Sequence, residues 1–117
     1  MLIVDEVLGH TMIGATASIG TRWPMRLTST GKAWLSASTG ANDAVRRKGY
    51  AVARGELERG YSAVGAAIIG ADGGAVAAIS VGGPSLRFTA TRIPGLGAQV
   101  VAAAQRISTS LGYQKAP

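Results

Sequence analysis

The 117-residue sequence predicts an α+β domain, a mainly antiparallel sheet flanked by helices. Three observations carry this. Residues 63–69 and 75–81 are apolar runs joined by Gly70-Ala71-Asp72-Gly73-Gly74, and two such runs linked by a short Asp-Gly-Gly loop form a hairpin. From Leu96 onward, Val100, Ala103, Ala104, Ile107 and Leu111 recur at helical spacing, and Gly112 stands where a C-terminal cap belongs. The 17 glycines, about twice the usual ~7% share, call for turns and close backbone approaches rather than long helices.

The remaining elements follow in order. Residues 2–8 are rich in β-formers and end at a Gly9-His10 turn. Residues 11–19 alternate as a strand, with Met12, Gly14, Thr16 and Ser18 on one face and Ile13, Ala15, Ala17 and Ile19 on the other. After the break at Gly20-Thr21 and Pro24, Thr28 or Ser29 caps a short helix that runs to about Ala37. Residues 36–42 read as a loop, and Asn42 or Asp43 caps a very short helix ending at Lys48 before Gly49. Residues 50–53 form a strand, residues 56–60 a polar connection, and Gly82-Gly83-Pro84 ends the second strand of the hairpin.

Composition narrows the chemistry. With no cysteine, the chain has neither disulfides nor a thiolate nucleophile or metal ligand. His10 is its one imidazole and falls in a turn, and the six acidic residues are dispersed, so neither a nucleophilic triad nor a metal site is expected. The glycines at 70–74 join two strands, whereas phosphate-binding loops lead from a strand into a helix. The expectation is no enzyme, no metal and no cofactor. Residues 63–71, the longest apolar run, hold two glycines and fall short of the ~20 residues of a membrane span. Asp5 and Glu6 stand where a signal peptide needs basic residues; a cytoplasmic chain with no membrane partner is expected. The net charge of +6 suggests an anionic partner. Yet Arg46-Arg47-Lys48 is the single basic run, and before Gly49 it reads as the last turn of a helix, where cations are favoured.

Binding has better material. Thr28-Ser29-Thr30-Gly31 opens a helix, where first-turn N–H groups and the dipole favour an anion such as a carboxylate. Helix capping accounts for Thr28 or Ser29 but not for three successive hydroxyls. Ser80 and Gly82 point to one side of their strand, one able to hydrogen-bond and one able to admit a ligand near the backbone. Together these describe a small-molecule pocket between a helix start and a sheet face.

The stretch Val45-Arg46-Arg47-Lys48-Gly49-Tyr50-Ala51-Val52, with Glu56, Gly60, residues 63–69 and then Ala77-Ala78-Ile79-Ser80-Val81-Gly82-Gly83-Pro84, resembles the effector-binding domain of IclR-family transcriptional regulators. Ile19-Gly20-Thr21-Arg22-Trp23-Pro24-Met25, residues 28–33 and the tail from Ile107-Ser108 to Leu111-Gly112 extend the resemblance over nearly the whole chain. It implies a GAF-like fold with a six-stranded antiparallel sheet, assembly as a homodimer or homotetramer, and a separate N-terminal winged helix-turn-helix that binds DNA. It also implies a pocket for a small organic acid or aromatic metabolite, lined by Met12, Ser29, Thr30, Ala53, Ala63, Ser80 and Gly82, beside the capping residue Thr28. Relatives often carry Asp or Ser at position 53, Cys or Ser at 63, Ser at 82, Gly at 29 and His at 26, and an aromatic residue with Asp or Asn at 69 and 70. Alanine at 53 and glycine at 82 remove groups that would hold a short keto acid, which points to a larger or more apolar effector, an aromatic one included.

No helix-turn-helix pattern occurs in the 117 residues, and the family's longer helical segment after Trp34-Leu35 is reduced here to residues 36–44. Either the segment is truly shortened or residues are missing from between its ends. The leading expectation is the ligand-sensing, oligomerising half of an IclR-type regulator. A free-standing GAF-like sensor or interaction module without DNA binding is the alternative, followed by direct nucleic-acid binding through the basic surface and by a small enzyme.

Overall fold

The computed structural model describes residues 1–5, 19–40 and 42–114. The predicted strand at 11–19 and the turn at His10 lie almost wholly outside the described residues, as does Met12. Of the predicted strand at 2–8, the described part shows an isolated antiparallel bridge between Leu2 and Arg22.

A short 3-10 turn, Met25–Leu27, leads into helix α1, Ser29–Thr39. Thr28 has extended backbone, and its Oγ1 accepts from the Gly31 N–H at 3.0 Å, the N-cap arrangement foreseen from the sequence. Helix α1 then runs past the predicted end near Ala37, so Ser36 is a buried helical residue and not part of a loop. The run of Ser and Thr concealed this. In the helix Thr39 satisfies its hydroxyl by donating back to the Leu35 carbonyl at 2.7 Å, and Ser36 Oγ reaches the Asn42 carbonyl at 3.0 Å. Gly40, with φ +71°, supplies the left-handed cap.

Helix α2, Asp43–Lys48, matches its prediction at both ends: Asn42 Oδ1 accepts from the Val45 N–H at 3.1 Å, and Gly49 caps with φ +85°. Six residues cannot hold a helix by propensity alone, so the cap matters. Asn42→Ala is expected to cost about 1 kcal/mol in urea unfolding followed by circular dichroism, whereas Asn42→Asp should leave the midpoint nearly unchanged.

Strands β1 (Ala51–Arg54), β2 (Tyr61–Ile69) and β3 (Ala75–Pro84) form an antiparallel sheet in the order β1-β2-β3. The hairpin is as predicted, with its bulge at Ile68/Ile69. Its second strand is longer than expected, because Gly82, Gly83 and Pro84 stay paired with Ala63, Ser62 and Tyr61. Phe88 packs on Gly83, and the proline sits at the strand end, where a missing N–H is tolerated.

Helix α3, Ile93–Ser110, begins three residues before Leu96, with a proline in its first turn. Val100 and Ala104 are buried with Ala66 and Ile68, and Ile107 packs against them. Leu111 does not join this face; it is 49% exposed, one residue beyond the helix end. A second cluster joins Val64, Phe88 and Ile93, flanked by Tyr50, Val52 and Leu96. Val64, Ala66 and Ile68 thus face α3, and the alternate residues Ala63, Gly65 and Ala67 face α1. Helix α1 seats on Gly65, where a Cβ would lie 2.8 Å from the Ser29 carbonyl carbon. Trp34 Nε1 donates to the Ala75 carbonyl at 3.2 Å and ties the same helix to β3.

Candidate functional site

The start of α1, the β1 end, β2 and β3 meet around a small cavity. Thr28, Ser29, Thr30, Ala53, Ala63 and Ser80, all anticipated from the sequence, line it. Trp23, Leu27, Leu57 and Tyr61 complete its walls. Thr28, Ser29, Ala53 and Ala63 are buried, Thr30 is half-buried and Ser80 is exposed. Ala53 and Ala63 are direct cross-strand partners, so two alanines form the floor side by side. With Thr28 occupied in capping Gly31, the N–H groups of Ser29 and Thr30 head the helix where its own ladder offers no acceptor. They form the positive end of the α1 dipole, an environment that favours negative charge.

Gly82 is placed differently. It pairs with Ala63 but does not line the cavity, because the Tyr61 phenol takes up the space over it. A Cβ at position 82 would collide with the Tyr61 hydroxyl, so the close approach that glycine permits here is made by Tyr61. Tyr61 meets Trp23 edge to face, ring centroids 6.2 Å apart at 69°. Sequence reasoning missed this pair. The signal was available in part: Tyr61 lies two residues before Ala63 and so shares its face of β2.

Loop 55–60 carries Leu57 over the cavity, and Lys32 holds it in place. The Lys32 ammonium donates to Glu56 Oε2 at 2.5 Å and to the Val52 carbonyl at 3.3 Å, which fastens α1 to both β1 and the loop. About 20 Å³ remains open, room for one water molecule. A second cavity, of about 510 Å³, lies among α1, α2, α3 and the far end of β2, and none of the predicted binding residues lines it. Among the described residues no cluster of His, Asp or Glu could hold a metal ion, and no helix is long and apolar enough to cross a membrane.

An antiparallel sheet thus carries α1 on one face and α3 on the other, with the small pocket at the start of α1. Residues 41–109 match the model of the bacterial transcriptional regulator IclR C-terminal domain, more than half of the chain, and the chain belongs to that family. It is 41% identical over 71 residues to the HTH-type transcriptional regulator KipR of Bacillus subtilis, covering 61% of this chain and 28% of KipR. With the HTH-type transcriptional repressor AllR of Escherichia coli it is 28% identical over 144 residues, covering 99% of this chain and 53% of AllR. That span exceeds the chain's own 117 residues, so AllR has residues with no counterpart here. The Thermotoga maritima IclR structure superposes with a TM-score of 0.84 at 26% identity, covering 93% of this chain and 56% of that one. The Agobacterium tumefaciens repressor BlcR gives 0.76 at 25% identity, covering 86% and 51%. The chain therefore spans about half or less of the length of these relatives, which are transcription regulators and repressors rather than enzymes.

Proposed function

We propose that this domain senses a small organic acid and passes the signal, through its assembly as a homodimer or homotetramer, to a DNA-binding winged helix-turn-helix. The domain would act in the cytoplasm without a metal, a cofactor or catalysis. The observation that carries the reading is convergence: Thr28, Ser29, Thr30, Ala53, Ala63 and Ser80 come from separate elements and line one cavity. The family's GAF-like, six-stranded sheet fits the three strands described here if further strands add to them.

The walls refine the ligand class. Apart from the hydroxyls and the helix start, the lining is aromatic or aliphatic, which suits an acid with an apolar body better than a short keto acid. Such a ligand needs more than one water's space, and Tyr61 is the side chain whose rotation provides it. The space vacated is that of an aromatic ring, so an aromatic acid is the best fit. The effector would stabilise one arrangement of the subunits and so shift DNA affinity.

Thermal denaturation against a panel of organic acids tests this. An aromatic carboxylate at 100 times its dissociation constant should add about 2.7 kcal/mol of stability, and Ser80→Ala should weaken it. Glyoxylate or pyruvate binding more tightly than any aromatic acid would overturn the ligand class; no stabilisation by any acid would overturn the sensing role.

A further inference from the structure

The 510 Å³ cavity at the junction of the three helices shares no lining residue with the cavity at the start of α1. Its volume falls within the roughly 300–1,000 Å³ of small-molecule pockets. Ala33 and Ala37 of α1, Ala67 of β2, and Val101 and Ala104 of α3 make most of its wall apolar. Small side chains on packed helices leave a channel that an alkyl chain fills well.

Ser36, Gln105, Thr109 and Tyr113 also line the cavity, and two further polar features bear on what it would hold. Arg46, from the basic run at the end of α2, lines the cavity, and its nearest described acid, Asp43, is 4.0 Å away with both side chains largely exposed. So loose an exposed pair binds the guanidinium weakly and leaves it available to another anion. The second feature is an open stretch of sheet edge. Strand β1 stops pairing at Ala51↔Gly65, while β2 continues to Ile69. The Tyr61 carbonyl accepts from the Gly55 N–H on the β1 side, and the Ile69 N–H leaves the sheet to donate to Ser108 Oγ at 2.9 Å. Alternation along the strand then directs the Ala67 N–H and C=O to this same edge, where no described strand meets them. A half-buried backbone donor and a loosely held cation lining one cavity favour a ligand with an acceptor and a negative charge.

We propose that this cavity binds a medium-chain alkyl carboxylate, its chain on the alanine-rich wall and its carboxylate at Arg46. The experiment compares octanoate with the neutral octanamide, using the full chain, thermal denaturation and amide chemical shifts. Octanoate should raise the melting temperature and shift the amides of Ala67, Val101 and Gln105, with octanamide at least about tenfold weaker. Arg46→Gln should remove that tenfold difference and leave octanamide unaffected. Ala104→Phe should block both ligands; if it fails to fold, Ala37→Met narrows the same cavity from an exposed position and should weaken both. Equal binding of octanoate and octanamide would overturn the proposal. So would shifts centred on Thr30 and Ser80, which would put octanoate in the other site, or an Ala67 shift that follows protein concentration alone, which would mark the edge as a contact between two copies.

Discussion

Replacing Gly65 with alanine is expected to lower stability by about 3 kcal/mol, at the upper end of overpacking costs. The added methyl would lie 2.8–2.9 Å from the Ser29 carbonyl carbon, its oxygen and Oγ. Backbone atoms in a helix cannot rotate aside as a surface side chain can, so α1 must lift from the sheet. Urea unfolding gives the free energy, and the melting temperature should fall by roughly 10–20 °C. Because Ser29 and Thr30 head that helix and line the cavity, ligand affinity should fall with stability. A variant within about 0.5 kcal/mol of the parent, the range of ordinary surface changes, would show that α1 does not seat on β2 at this point.

The second large effect concerns Gly82 and Tyr61. Gly82→Ser should cost about 1–2 kcal/mol, because the new side chain evicts the Tyr61 ring from its place beside Trp23. Tyr61→Leu should cost a similar amount through lost packing, with a reduced near-ultraviolet circular dichroism signal. The two changes remove one contact, so the double variant should be less destabilised than the sum, by at least about 1 kcal/mol. Strict additivity would mean that the tyrosine and the glycine do not depend on each other. The double variant also leaves a hydroxyl at 82 with a smaller neighbour, and should bind short hydroxy or keto acids better than the parent does.

Much of this architecture was legible in local chemistry. Asn42 and Gly49 bracket α2 because caps act within a few residues, and the Asp-Gly-Gly loop announced the hairpin for the same reason. Six of the candidate binding residues reached one cavity. What was hidden depends on contacts distant in the chain. Ser36 reads as a loop residue until its hydroxyl is seen to reach the Asn42 carbonyl. Gly82-Gly83-Pro84 reads as a strand end until Tyr61, Ser62 and Phe88 are placed against it. The part played by Tyr61 follows from the absence of a side chain on the neighbouring strand, which no periodicity reports. The groove beside Arg46 depends on how far β1 extends along β2, a matter of strand length and not of pattern.

Strand β2 has one consequence for folding itself. From Ser62 to Ala66 every residue is buried, whichever face it takes. A strand with a solvent face is corrected by water whenever its pairing slips by one residue, since the slip turns apolar groups outward. Here both faces are apolar apart from Ser62, and a slipped hairpin would bury nearly as much surface. Shape must then supply the correction. Only one position of β2 lets the Ser29 backbone come down upon it, and a slip in either direction brings Val64 or Ala66 beneath the helix instead. Gly65 thus acts as a registration pin: α1 can dock only on a correctly paired sheet, and its arrival locks the pairing in place.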